Sequence, residues 1–141
     1  IKLLDNKVFY KITNVNHIVG KVEYNMALDF SKVQEPMSNC VVCGIVTRLE
    51  KRTYMRKSTR NGRTTEQEHV FYTFSLMNDG KYLSGSIFPR VAEEKKVEVI
   101  EVGRKVAMSG KFDNYKGRLN FTADTLCVCD FEKSVEKNTR D

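Results

Sequence analysis

Between residues 51 and 63 the chain carries six basic side chains, Lys51, Arg52, Arg56, Lys57, Arg60 and Arg63, and no acid. Such a run sets up a local positive field, and the chemistry open to it is the binding of phosphates or other anions. The same composition also suits a solvated surface loop. A formal net charge of +6 and a pI near 9.2 add little, because distribution matters more than the total. A second group joins rings to small hydroxyls: Phe71, Thr73 and Ser75, then Tyr82, Ser84, Ser86 and Phe88. Their two-residue spacing places each set on one face of a strand. Rings stack on nucleobases, and Ser or Thr leaves room for a sugar–phosphate backbone. Further cations, Lys81, Arg90, Lys111, Lys116 and Arg118, lie at turns and strand ends.

Catalysis finds little to work with. His17 and His69 are the two histidines, and neither sits at a spacing that suggests a triad or a carboxylate pair. Asp79 and Asp113 fall in turn signals, where local hydrogen bonding accounts for them. Gly62 and Gly80 are isolated, so no phosphate-cradling glycine loop is present. The four cysteines come as Cys40 with Cys43 and Cys127 with Cys129, inside apolar segments. On a strand, residues three apart point to opposite faces, which disfavours a shared metal ion and favours cysteine as a small core hydrophobe. No cofactor and no metal are expected.

Positioning these groups requires strands. Apolar and polar residues alternate, β-branched and aromatic types are common, and Gly, Asn and Asp clusters interrupt them. Strands are expected over 7–15 and 21–30, joined near Gly20, with a break at Pro36 to Asn39. Then come a strand over 40–55 bent at Gly44, the basic loop with its turn at Asn61-Gly62, a strand over 69–77, the turn Asn78-Asp79-Gly80 and a strand over 81–88. Residues 91–102 read as a helix closed by Gly103, followed by strands over 104–112 and 118–131 around a turn at 113–117. Residues 1–36 thus form an N-terminal β extension packed on a domain over 37–131, and 132–141 form a polar, frayed tail.

Five strands with one helix between the third and fourth, and a bend glycine in the first, follow the order of an all-β, five-stranded OB-fold Greek-key barrel. In the most apolar register, Val70, Tyr72, Phe74 and Leu76 point inward with Leu83, Gly85 and Ile87. Phe71, Thr73, Ser75, Met77, Tyr82, Ser84, Ser86 and Phe88 then point outward, on the face where such barrels receive a strand. Aromatics on that face are equally what a packed extension would cover.

From Val41 onward the chain resembles the OB domain of PolC-type (Gram-positive) replicative DNA polymerase III alpha subunits. The likeness runs through Val42-Cys43-Gly44-Ile45-Val46, Asn61-Gly62-Arg63-Thr64, Tyr72-Thr73-Phe74-Ser75-Leu76, Ser86-Ile87-Phe88-Pro89-Arg90, and Gly103 with Val106 and Gly110. It departs at residues 65–69, which look inserted, and in a longer, more basic loop. The resemblance implies an accessory domain that guides single-stranded template DNA, with other polymerase domains as partners and the chemistry elsewhere. Starting at Ile1 rather than Met, the chain reads as a piece of something larger. An RNA- or tRNA-binding OB module and a protein-interaction OB domain are the other readings. No small-molecule substrate is expected. The lack of a signal peptide or an apolar run of about 20 residues suggests a cytoplasmic, nucleoid-associated protein with no membrane partner.

Overall fold

Three two-residue turns set the hairpins. Asn61-Gly62, Asp79-Gly80 and Lys116-Gly117 all have positive φ at both positions, between 51° and 78°. That is the geometry of type I′ turns, whose twist matches that of the flanking strands. The computed structural model describes residues 5–138. It contains strands β1 (Asp5–Val19), β2 (Met26–Leu28), β3 (Met37–Arg60), β4 (Arg63–Asn78), β5 (Lys81–Ile87), β6 (Lys105–Tyr115) and β7 (Arg118–Asn138). One α-helix, α1 (Glu94–Glu98), follows a 3-10 turn at Val91–Glu93.

The seven strands form one sheet in the order β2-β1-β7-β5-β4-β3-β6, and β6 pairs back onto β7. Five strands therefore close on themselves: β3 with β4, β4 with β5, β5 with β7, β7 with β6, and β6 with β3. All these pairs are antiparallel except β5–β7. Long β3 serves two neighbours, β6 up to Ile45 and β4 from Ile45 onward, and Gly44 sits at the switch. Val42, Val46, Tyr72, Phe74, Leu76, Ile87, Val106, Met108, Phe112, Phe121 and Leu126 fill the interior with Val97 of α1.

The extension makes a second core on the outside of the barrel. Tyr10, Ile12, Tyr24 and Ala27 pack on Cys43, Ala107, Cys127 and Cys129. β1 runs along β7, and β2 pairs with β1. Cys40 belongs to the inner core and Cys43 to the outer one, as strand alternation requires, and all four cysteines are buried free thiols. Burial pushes the Cys43 thiol up to about 12. Tyr24 anchors the layer: its hydroxyl bonds Thr125 Oγ1, which in turn lies 2.5 Å from Ser109 Oγ.

Several expectations need correction. The basic loop is not a loop. β3 continues to Arg60 and β4 begins at Arg63, so residues 51–60 and the supposed insertion at 65–69 form a paired ribbon. Apart from Tyr54 and Met55 its side chains are polar on both faces, which leaves no hydrophobic period to see. Residues 21–30 hold only the three-residue β2. Asp29 then accepts bonds from the Ser31 backbone and hydroxyl at 3.0 and 2.6 Å, diverting the chain into a 3-10 turn. The helix over 91–102 shrinks to α1 and its 3-10 lead, since β-branched Val97, Val99 and Ile100 add little to a costly nucleus. The turn expected over 113–117 tightens to two residues. Finally, the tail is paired with β1 as far as Asn138, while residues 139–141 lie outside the described residues.

Two predictions follow from this packing. A Cβ at Gly85 would lie 2.5 Å from Phe121 O and 2.8 Å from Phe74 Cζ. Gly85→Ala should therefore destabilise the domain by about 2–3 kcal/mol in urea unfolding, and a loss within about 0.5 kcal/mol would refute so tight a seam. Burial raises the Tyr24 pKa from 10.0 to about 12. The neutral phenol's contribution is thus complete below pH 10 and lost as pH climbs toward 12. Tyr24→Phe should cost about 1 kcal/mol at neutral pH and flatten that alkaline decline; an unchanged decline in thermal melts would contradict it.

Candidate nucleic-acid interface

Cross-strand register builds one continuous face from three strands. Thr73 opposes Ser86, Ser75 opposes Ser84, and Met77 opposes Tyr82. On the other side Phe71 opposes Arg52, Thr73 opposes Glu50, Ser75 opposes Arg48, and His69 opposes Tyr54. Directly opposed residues share a face, and the inward set Tyr72, Phe74, Leu76 and Ile87 is fully buried. The outward face therefore reads Arg48, Glu50, Arg52, Tyr54, Arg56, Ser58 and Arg60 on β3, then Arg63, Thr65, Gln67, His69, Phe71, Thr73, Ser75 and Met77 on β4. Tyr82, Ser84 and Ser86 of β5 complete it, with Phe88 just beyond.

At its centre is a hydroxyl band. Ser75 and Ser84 hydroxyls lie 3.1 Å apart, Arg48 reaches Ser75 Oγ at 3.4 Å, and Thr73 Oγ1 is enclosed without a hydrogen-bond partner. Beside the band stands an aromatic cluster. Phe71 and Phe88 stack at 5.0 Å with planes 11° apart, and Tyr54 meets both edge-on at 5.8 Å. His69 stacks on Tyr54 at 5.4 Å. Phe88 is 51% exposed, whereas Phe71 is partly covered and acts as its support. Tyr82, 67% exposed, stands apart, six residues along from Phe88, or about 20 Å of strand. The described part of the extension lies over β3, β6 and β7 elsewhere and leaves Phe88 and Tyr82 open.

The basic residues divide by face. Alternation puts Arg52, Arg56, Arg60 and Arg63 on the aromatic side, and Lys51 and Lys57 on the reverse side with Glu66 and Glu68. Lys57 pairs with Glu66 there at 3.7 Å. On the aromatic side the one acid is Glu50, held by Arg48 at 2.7 Å and Arg52 at 3.1 Å. The hydrogen bond from Arg48, and then the charges of both arginines, lower its pKa. Arg56, Arg60 and Arg63 make no ion pair among the described residues.

The remaining candidates scatter. Arg90 is exposed ahead of the 3-10 turn that follows Phe88. Lys116, with Nζ 5.3 Å above the Tyr115 ring, lies in the β6–β7 turn and Arg118 starts β7 beside it, toward the Tyr82 end of the parallel β5–β7 pair. Lys81 bonds Ser31 Oγ at 3.1 Å, and Lys111 faces Asp113 at 3.4 Å, so both are engaged within the chain. Tyr54, His69, Arg48 and Glu50 escaped the sequence reading. The signal was available in the Asn61-Gly62 turn, because counting outward from a two-residue turn pairs residue 54 with residue 69.

Among the described residues no three His, Cys, Asp or Glu side chains are placed to hold a metal ion, and no helix is long and apolar enough to cross a membrane. No protein family, curated protein or solved structure matches this chain.

Glu50 neutralises part of this face, so removing its charge should strengthen anion binding. Glu50→Gln is expected to elute from heparin at higher salt, with a log–log salt slope steeper by about one. Unchanged elution would mean that Arg48 and Arg52 do not meet the anion.

Proposed function

We propose that the chain is a non-catalytic single-stranded-DNA-binding domain of the OB type. In favour of the OB reading is the ring β3-β4-β5-β7-β6. Counted within the barrel it runs first, second, third, fifth, fourth and back to first, with α1 between the third and fourth strands. The observation that carries the function is the uncovered cluster of Phe88, Phe71, Tyr54 and His69 beside Arg48 and Arg52. It lies on the face of the second and third barrel strands, where an OB barrel takes a strand. Unpaired bases stack on the open ring of Phe88, the hydroxyl band admits the backbone, and Arg48 and Arg52 contact phosphates. The narrower reading, an accessory template-guiding domain of a PolC-type replicative polymerase, rests on the sequence likeness alone.

Labelled oligo-dT titrated by fluorescence anisotropy tests this. Affinity should fall steeply with salt as counterions are released. Phe88→Ala should weaken binding about tenfold, within the roughly 1–3 kcal/mol of one base–aromatic contact, and Tyr82→Ala should weaken it less. Unaltered affinity in both folded variants would remove the stacking model, and absence of binding at low salt would sink the whole reading.

A further inference from the structure

Past Tyr54 and His69 the β3–β4 ribbon leaves the barrel, and every residue from Met55 to Glu68 is exposed. Six residues on each strand make an arm about 20 Å long. An isolated two-stranded hairpin is marginal in water, and this one is burdened further. Arg60 lies directly opposite Arg63, a like-charge pair that weakens the ribbon. What holds the arm together lies largely on its reverse face: the Thr59 and Thr64 hydroxyls at 3.1 Å, and Lys57 with Glu66. An anion bound on the arginine side would relieve that repulsion.

Composition changes along that side. Near the barrel it carries rings; beyond them come Arg56, Ser58, Arg60, Arg63, Thr65 and Gln67, with no aromatic and no acid. Unpaired bases would find no aromatic ring there to stack on. Arg, Gln, Ser and Thr are instead the side chains that hydrogen-bond base edges and phosphates of a stacked duplex. Arginine in every cationic position fits bidentate recognition of phosphate and guanine better than lysine does. The acids Glu66 and Glu68 are turned to the reverse side, where phosphates would not meet them.

We propose that this arm lies flat in the major groove of double-stranded DNA, with its arginine face against the duplex. B-form DNA has a major groove about 12 Å wide that admits a two-stranded ribbon, whereas the A-form groove of duplex RNA is deep and too narrow. The inference goes beyond the single-strand reading, because it uses different residues and a different ligand. Together the two place the domain at a junction, with duplex on the arm and the unpaired strand on the barrel.

The test compares anisotropy titrations with a DNA duplex of about 16 base pairs, the RNA duplex of the same sequence, and oligo-dT. Two variants of the full chain are used. Arg60→Ala with Arg63→Ala leaves the backbone intact. Deletion of residues 57–60 and 63–66 joins Arg56-Asn61-Gly62-Gln67, which keeps the turn and the alternation of hydrogen-bonded pairs. The intact chain should prefer duplex DNA to duplex RNA. The double variant should lose about tenfold or more in duplex-DNA affinity, with a salt slope shallower by about two, and the deletion should lose more. Both should keep oligo-dT binding within about twofold. Equal affinity for the two duplexes, or undiminished duplex-DNA binding by folded variants, overturns the arm proposal. Absent duplex binding with oligo-dT binding intact overturns it alone; absent oligo-dT binding with duplex binding intact sinks only the barrel-face reading.

Discussion

Between Gly85 and Phe121 two parallel strands approach so closely that a methyl group would strike the Phe121 carbonyl and the Phe74 ring. Three residue pairs, Gly85 with Phe121, Ser86 with Thr122 and Ile87 with Ala123, close the ring there. Gly110 plays the matching part between β6 and β7, where a Cβ would sit 2.0 Å from the Thr122 carbonyl oxygen. Closure then decides what each strand can do. It turns Tyr72, Phe74, Leu76 and Ile87 inward, so the alternate residues of β4 and β5 must face out. Small Ser84 and Ser86 beside the seam keep that outer surface low, while Phe71 and Phe88 rise at its edge.

Closure also explains why the extension lies where it does. Segments of β3, β6 and β7 are covered on both faces, and their sequences show it as unbroken apolar runs: residues 40–46, 106–108 and 126–129 are buried or nearly so throughout. Strands buried on both sides lose the alternation that marks a half-buried strand. β4 and β5 keep it, with a clean in-and-out pattern from Val70 to Leu76. The contrast between run and alternation thus separates the covered wall of the barrel from its open wall. The open wall is the one with rings and hydroxyls.

The inner register of β4 and β5 and the three turn sites were legible because each rests on a local rule, hydrophobic period or positive φ. The opposite faces of Cys40 and Cys43 followed from period two alone. The arm was not legible by period, since with both faces in water no apolar residue repeats along it. The turn still held the information: a two-residue loop at Asn61-Gly62 fixes every pair from Arg60–Arg63 back to Lys51–Tyr72. Read that way, the six basic residues cease to be a single cluster. Four arginines and two lysines part to opposite faces, and the nominal net charge says nothing of this. The short α1 and the 3-10 turn after β2 were misjudged for another reason, because local side-chain hydrogen bonds and β-branching outweighed the broader pattern.

The aromatic cluster at the root of the arm has two roles that constrain each other. Tyr54 touches His69, Phe71 and Phe88, so it couples the first pairs of the arm to the last residue before Pro89. Ring contacts of this kind are each worth about 0.5–1.5 kcal/mol beyond burial, enough to fix the direction in which an otherwise marginal ribbon leaves the barrel. Those contacts use up ring faces. Phe71 is spent on Phe88, and His69 on Tyr54, which leaves the outer face of Phe88 as the principal open ring surface of the cluster. Under the proposed reading, a base stacked on Phe88 would rest on the same cluster that aims the arm, with Tyr54 joining the two.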